Sequence, residues 1–225
     1  MSRRIKLVAV DDHPFAAWRA DPDTQAKGGI VVLHAVYGLT DHIGDVCQIY
    51  ADNGYAAIAP ALYDRVKAGI VHPYSQGGVE AGRQSYAALG REGILADVEA
   101  CAKVLRAMGR VAISGFCTGG TWAWEAAGSL SFDASVNFYG SHVAARLDIG
   151  PNCPTIMHYG DSDVIVPMTD VEQIRAAHPN VTVHVYPGGK HAFFNPAQAN
   201  YDANAASLAL RRSIAFLNER LASIA

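Results

Sequence analysis

The sequence predicts an α/β protein whose mainly parallel central sheet is covered by helices on both faces. Short apolar runs typical of buried strands alternate with stretches that carry one apolar stripe at helical spacing. The composition agrees, since 50% of the 225 residues are hydrophobic and only 17% are charged. A chain of this length with no repeat and no linker predicts a single domain over residues 1–225.

The predicted elements alternate along the chain. Strands are predicted at residues 5–10, 15–19, 29–34, 55–59, 111–114, 134–139, 155–159 and 181–186. The first helix is capped by Asp41 and ended by Gly54, and later helices span residues 92–108, 118–128, 167–177 and 205–222.

Each assignment depends on a local pattern. Residues 29–34 form a continuous apolar run, as expected for a strand buried on both faces. The helix at 92–108 is predicted from a stripe formed by Ile94, Val98, Cys101 and Leu105. Residues 61–90 are rich in glycine and polar groups, so we predict an irregular excursion, and loops of that length are often functional.

Charge and cysteine content exclude several classes of function. The net charge of −3 and the lack of a basic cluster argue against nucleic acid or membrane partners. Residues 5–10 are too short for a signal-peptide core, so a cytoplasmic protein is expected. The four cysteines are far apart and without metal-ligand spacing, so we predict reduced thiols, no metal site and no cofactor.

The strongest motif is the turn from Gly115 to Gly119, with Cys117 at its centre. It follows a predicted strand and precedes a predicted helix, which is the layout of a nucleophile elbow with cysteine in place of serine. The helix N-terminus favours a thiolate, and the N–H of Thr118 is placed to stabilise an oxyanion. No Lys follows the glycines, which disfavours a phosphate-binding loop. The elbow therefore predicts an α/β-hydrolase fold with Cys117 as nucleophile.

An acid and a histidine should follow the nucleophile in that order along the chain. Asp161 and Asp163 both follow the strand at 155–159, and the Gly-x-x-Asp spacing before Val166-Pro167 favours Asp163. A turn or cap role is the alternative for either carboxylate. Of nine histidines, His191 alone combines chain order, a glycine-rich loop after a strand and a following aromatic residue.

Motifs along nearly the whole chain resemble the dienelactone hydrolase (carboxymethylenebutenolidase) family of α/β-hydrolases. They include Asp12-His13-x-Phe15, His34-x-x-Tyr37-Gly38-Leu39, Asn53-Gly54-Tyr55-Ala56-Ala57, Pro60-x-Leu62-Tyr63, Gly115-Phe116-Cys117-x-Gly119-Gly120, Phe138-Tyr139-Gly140, Asp163-x-x-Val166-Pro167 and Lys190-His191-x-Phe193. The resemblance implies a Cys117–His191–Asp163 triad and an oxyanion hole formed by the N–H groups of Val36 and Thr118. It also implies a monomer, with a dimer as the alternative.

The sequence departs from this family at positions that surround the expected triad. Ala35 stands where a glutamate is expected that controls the cysteine's ionisation. Ala192 and Asn195 replace a serine and an arginine that help to hold the dienelactone carboxylate, and Gly82 occupies the place of a second arginine. The resemblance therefore supports the fold and the reaction class better than it supports dienelactone as substrate.

The leading hypothesis is hydrolysis of a small carboxylic ester or lactone through a thioester acyl-enzyme. Thioester hydrolysis or acyl transfer, and a small-molecule binder without turnover, remain as alternatives. Weaker substrate-binding candidates are Tyr37, Arg83, Tyr86, Phe116, Phe193, Phe194 and Asn195. Four histidines, His34, His42, His72 and His142, are also predicted near strand-end loops.

Overall fold

The computed structural model describes residues 1–221, and within them eight strands and six α-helices alternate. The strands are β1 (Arg3–Val8), β2 (Pro14–Ala20), β3 (Gly29–Leu33), β4 (Ala56–Pro60), β5 (Val111–Phe116), β6 (Ala134–Phe138), β7 (Thr155–Gly160) and β8 (Thr182–Tyr186). The helices are α1 (Asp41–Asp52), α2 (Gln76–Ala87), α3 (Arg91–Leu105), α4 (Thr118–Ser129), α5 (Met168–Ala177) and α6 (Ala203–Leu221). No helix in this part of the chain is both long and apolar enough to cross a bilayer.

The chain forms two compact units, one of residues 1–112 with Leu221 and one of residues 113–220. In the first unit the strands are ordered β1-β2-β4-β3. The β1–β2 and β2–β4 pairs are antiparallel, and the β3–β4 pair is parallel. Helix α1 packs on β2 and β4, while α3 packs on β3 and β4. The stripe predicted for α3 is buried, including Cys101, and Cys47 on α1 is buried as well.

In the second unit the strands are ordered β5-β6-β7-β8, and β5 begins at the end of the first unit. The β6–β7 and β7–β8 pairs are parallel. Strands β5, β6 and β7 are buried along their whole length, although each contains polar residues. Parallel strands place their carboxyl ends at one edge of the sheet, and it is there that the candidate residues of this unit lie.

The type of structure predicted for one segment was wrong. Residues 61–90 are not an irregular excursion, because they contain helix α2 and a 3₁₀ turn at Leu62–Arg65. Three glycines within α2 lower its helix propensity, which concealed it. Two of them are needed by packing, since a Cβ at Gly78 would lie 1.9 Å from the Pro73 carbonyl oxygen and one at Gly82 would lie 2.2 Å from that of Val36.

Several predicted boundaries shift. Thr40, not Asp41, is the N-cap of α1, and Asp41 is its first helical residue, where a carboxylate favours the helix dipole. The helix predicted at 92–108 ends as a 3₁₀ turn at Arg106–Met108. The predicted closing helix at 205–222 begins earlier, at Ala203, and residue 222 lies outside the described residues.

Candidate active site

Cys117 joins β5 to α4 in a backbone conformation that few side chains adopt, with φ 55° and ψ −117°. The turn requires small neighbours, because a Cβ at Gly115 would lie 2.1 Å from the carbonyl oxygen of Gly119. Strained conformations of this kind persist only where the surroundings fix them. The N–H of Cys117 donates to the Phe138 carbonyl at 3.0 Å, and its own carbonyl accepts from Gly120 at 2.9 Å.

Asp163 lies in the loop after β7 and is only 5% exposed. Its Oδ2 atom is 2.7 Å from Nδ1 of His191. Its Oδ1 atom accepts from the N–H groups of Ile165 at 2.7 Å and Val166 at 3.0 Å. Both carboxylate oxygens therefore have donors, and the side chain is held in one orientation toward the histidine.

Asp161, the competing carboxylate, is exposed and has the turn role that the sequence favoured for it. Its Oδ1 atom accepts from the N–H of Gly188 at 2.7 Å and lies 3.0 Å from the Ser162 hydroxyl. These bonds tie the loop after β7 to the loop after β8. Asp161 thus helps to shape the loop that carries His191.

The His191 ring and its loop have two further contacts. Tyr139 contacts it edge-on, with ring centroids 5.2 Å apart, and Asn200 donates to the His191 carbonyl at 3.1 Å. Nε2, the nitrogen that Asp163 does not touch, is buried and has no hydrogen-bond partner that meets distance and angle criteria within residues 1–221. That nitrogen is available for proton transfer.

The electrostatics couple Cys117 to His191. Burial alone raises the pKa of the Cys117 thiol, but the His191 ring, the Thr118 N–H and the Ser141 hydroxyl together outweigh it, and the pKa falls below its ordinary value. Conversely, burial alone lowers the pKa of His191, yet Cys117 and Asp163 raise it to about 10. At pH values between the lowered pKa of Cys117 and the raised pKa of His191, the favoured state is a thiolate beside an imidazolium.

No site residue was predicted in the loop after β6. This loop holds Tyr139, a non-glycine residue at φ 42°, and Ser141, which is 7% exposed. Asn137 on β6 links this loop to the elbow, because its side chain donates to the Gly120 carbonyl and accepts from the Gly140 N–H. Phe138-Tyr139-Gly140 was visible as a motif, but no pattern indicated that Ser141 reaches Cys117.

The weaker candidates of this unit have other contacts. Phe116 stacks on Phe138 with ring centroids 4.6 Å apart, and Phe193 is fully buried between Tyr139 and Tyr186. Phe194 is 6% exposed and packs against Phe116. The Oδ1 atom of Asn195 accepts from the Ala197 N–H at 2.9 Å, which closes a local turn.

The remaining candidates lie in the first unit. Val36 is buried, and the Tyr63 hydroxyl donates to its carbonyl at 2.9 Å. Tyr37 packs edge-on against Tyr74, and Tyr86 is partly buried on α2. The Arg83 side chain is 65% exposed and lies 4.0 Å from Glu80.

The four further histidines have local roles. His34 is buried with Nδ1 2.8 Å from the Ala35 carbonyl oxygen, and burial lowers the pKa of both His34 and His42 to about 4. Nε2 of His72 lies 2.9 Å from the Ser85 hydroxyl. The His142 N–H donates to Thr121 at 3.2 Å. No group of three His, Cys, Asp or Glu side chains in residues 1–221 is arranged to hold a metal ion.

A family model described as the dienelactone hydrolase family matches residues 15–221 of the sequence. The chain belongs to the dienelactone hydrolase family. Membership places it among the carboxylic ester hydrolases, and the α/β-hydrolase fold predicted from the elbow is confirmed.

Relatives of this dienelactone hydrolase family member cover most of its length. It is 32% identical over 198 residues to a putative carboxymethylenebutenolidase of Synechocystis, covering 79% of this chain and 80% of that protein. It is 28% identical over 227 residues to a carboxymethylenebutenolidase of Pseudomonas putida, covering 96% of each. A crystal structure of a putative dienelactone hydrolase from Klebsiella pneumoniae superposes with a TM-score of 0.84 at 24% identity, covering 97% of this chain and 99% of that one.

Proposed function

We propose that this member of the dienelactone hydrolase family cleaves small carboxylic esters or lactones through a thioester on Cys117. The observation that carries the proposal is the 2.7 Å contact of Nδ1 of His191 with a buried carboxylate, supported by the opposite pKa shifts of His191 and Cys117, which indicate that the two groups interact. This is the arrangement that nucleophilic catalysis requires of a nucleophile, its base and an orienting group.

The first half-reaction forms the acyl-enzyme. The thiolate sulfur of Cys117 attacks the carbonyl carbon, and the carbonyl oxygen becomes an oxyanion. Thr118 supplies an N–H donor to this oxyanion from the start of α4. As the C–O bond breaks, the proton on Nε2 of His191 passes to the leaving oxygen, and the acyl group remains on sulfur as a thioester.

The second half-reaction returns the enzyme to its starting state. Neutral His191 takes a proton from a water molecule, whose oxygen attacks the thioester carbon. The C–S bond breaks, the acid product leaves, and Cys117 is again a thiolate beside an imidazolium. Asp163 keeps the ring in the tautomer that both steps need. General acid–base help from the histidine contributes roughly 10²–10⁴-fold in rate.

We further propose that the substrate needs no carboxylate. On the His191 loop, the expected arginine and serine positions hold Asn195 and Ala192. Asn195 is 7% exposed, and its Oδ1 atom is occupied by the Ala197 N–H. Neither residue offers a cation to a substrate anion, so a neutral ester or lactone fits this loop better than a carboxylate-bearing dienelactone.

A hydrolysis screen tests the proposal. Neutral aryl esters, neutral lactones, carboxylate-bearing lactones and acyl thioesters are compared as substrates of the wild-type protein. Cys117→Ala should lose at least about 10³-fold in kcat/KM on the preferred class. Cys153→Ala is the matched control, because Cys153 is also a free, partly exposed cysteine of the second unit.

Each outcome of the screen has a definite meaning. Loss of ester and lactone hydrolysis in Cys117→Ala, with retention in Cys153→Ala, supports the proposal. A strong preference for thioesters would instead support the thioesterase reading. No turnover of any class would favour the binder, and full activity in Cys117→Ala would exclude Cys117 as nucleophile.

A further inference from the structure

The loop after β6 is fixed to its surroundings by successive backbone bonds. Four consecutive N–H groups have acceptors: Tyr139 donates to the His158 carbonyl at 2.8 Å, Gly140 to Asn137 Oδ1 at 3.1 Å, Ser141 to the Cys117 carbonyl at 3.2 Å and His142 to Thr121 Oγ1 at 3.2 Å. Two of these acceptors, Cys117 and Thr121, belong to the elbow and its helix. The loop therefore cannot shift without moving the elbow.

Ser141 is placed by this network against the nucleophile. The residue is 7% exposed, its N–H is bonded to the Cys117 carbonyl at 3.2 Å, and its Oγ atom has no hydrogen-bond partner within residues 1–221. A buried hydroxyl without a partner costs free energy, so a further acceptor is expected. The neighbouring Cys117 sulfur can be that acceptor once it is ionised, because the backbone bond holds Ser141 beside Cys117 and its hydroxyl lowers the pKa of the thiol.

We propose that Ser141 is a positioning residue whose hydroxyl donates a hydrogen bond to the Cys117 thiolate, before attack and again as the sulfur leaves the thioester. The inference rests on the proposed function, in which Cys117 is the nucleophile. It assigns a role to a side chain that neither the family motifs nor the triad geometry required.

His191 and the Thr118 N–H, which also lower the pKa of the thiol, have additional tasks. His191 must give its proton to the leaving group, and the Thr118 N–H must stabilise the oxyanion. Ser141 has no such second task, so it is the donor that stays with the sulfur. When the thioester is hydrolysed, sulfur leaves as a thiolate, and the same hydroxyl stabilises the charge that develops on it.

Other groups of the second unit also influence the ionisation of Cys117. His191 faces the thiol from the loop after β8, and Asp163 acts through His191 from the loop after β7. Tyr139, beside Ser141, contacts the His191 ring edge-on at 5.2 Å. Ser141 itself does not ionise, so its removal should change the ionisation of Cys117 without adding a titrating group.

The test is the pH dependence of Cys117 alkylation by iodoacetamide, followed by peptide mass analysis in the intact protein. Ser141→Ala should require a higher pH for half-maximal labelling, with labelling about tenfold slower on the acid side, the loss expected for a hydrogen bond to a charged group. Ser141→Thr keeps the hydroxyl and should restore most of the rate.

Ser135→Ala is the matched control. Ser135 lies on β6 and, like Ser141, is a buried serine whose Oγ atom has no hydrogen-bond partner within residues 1–221. It should label like the wild type, and thermal unfolding confirms that each variant is folded. A Ser141→Ala profile that superimposes on the wild type, or an equal change in Ser135→Ala, would overturn the inference. The labelling experiment uses no substrate, so its result can be interpreted even if the hydrolysis screen detects no activity.

Discussion

Nδ1 of His191 lies 2.7 Å from Oδ2 of Asp163, and the carboxylate is buried with two backbone donors on its other oxygen. This bond occupies Nδ1 and leaves Nε2 as the nitrogen that the proposed mechanism requires. A histidine free to rotate or to change tautomer would present the wrong nitrogen for part of the time. The relationship between these two residues is therefore a direct target for mutation.

Asp163→Asn keeps the size of the side chain but removes its charge. We expect kcat/KM for the preferred ester to fall by about 10²–10⁴-fold, because the amide no longer stabilises the imidazolium or selects its tautomer. Steady-state kinetics measure the loss. Asp161→Asn is the control, since an amide oxygen can still accept from Gly188. Activity of Asp163→Asn within a few-fold of wild type would contradict this role.

The pH profile of kcat/KM should be bell-shaped. The pKa of Cys117 is lowered, so activity should rise with pH at values below those of an ordinary thiol as the thiolate forms. The pKa of His191 is raised to about 10, so activity should fall above that pH as the proton for the leaving group is lost. Initial rates at subsaturating substrate from pH 4 to 11 test this. An activity that begins to rise only near the pKa of a free cysteine would be evidence against the ion pair.

His158 should make the fold sensitive to acid. It is fully buried between the Tyr186 hydroxyl at 2.8 Å and the Ser213 hydroxyl at 2.9 Å, and burial holds its pKa well below the ordinary value. The unfolded chain takes up a proton near pH 6.5 and the folded chain does not, so the stabilisation is present above that pH and is lost as the pH falls.

Below about pH 6.5, His158 should lower the free energy of unfolding by about 1.4 kcal/mol for each pH unit. Urea unfolding between pH 4.5 and 7 measures it, and His158→Gln should flatten the dependence while lowering stability at pH 7. His178→Gln is the control, since His178 contacts the Leu147 carbonyl at its ring edge. An unchanged slope in His158→Gln would show that other groups carry the acid sensitivity.

Two glycines of α2 should respond oppositely to alanine. A Cβ at Gly82 would lie 2.2 Å from the Val36 carbonyl oxygen, whereas a Cβ at Gly77 would meet nothing within 4 Å. We expect Gly82→Ala to lower the free energy of unfolding by about 1–3 kcal/mol through overpacking. Gly77→Ala should be neutral or stabilising by up to about 1 kcal/mol, since alanine favours the helix. Urea unfolding compares the two, and equal effects would contradict this packing.

The sequence predicted what depends on local rules. The elbow around Cys117 needs small residues at fixed offsets, and the order of Asp163 and His191 follows from the fold, so both were visible without coordinates. The glycines of α2 allow close packing against Pro73 and Val36, but they lower the helix propensity of the segment. Helix α2 was therefore not predicted from the sequence.

Ser141 could not be predicted for a related reason. It reaches Cys117 only because Asn137 joins β6 to the elbow, and that bond links residues far apart in sequence. The exchanges at Ala192 and Asn195 were visible as departures from the family pattern. That the side chain of Asn195 is occupied by its own turn required the structure.

The most direct test of the account is to trap the acyl-enzyme. The wild-type protein and Cys117→Ala are each quenched in acid within the first turnovers of an activated neutral ester, and the intact mass and tryptic peptides are measured. The account predicts a single acyl group on Cys117 of the wild type, removed by hydroxylamine, and none on the variant. An acyl group on another residue, or turnover by the variant at the wild-type rate, would contradict it.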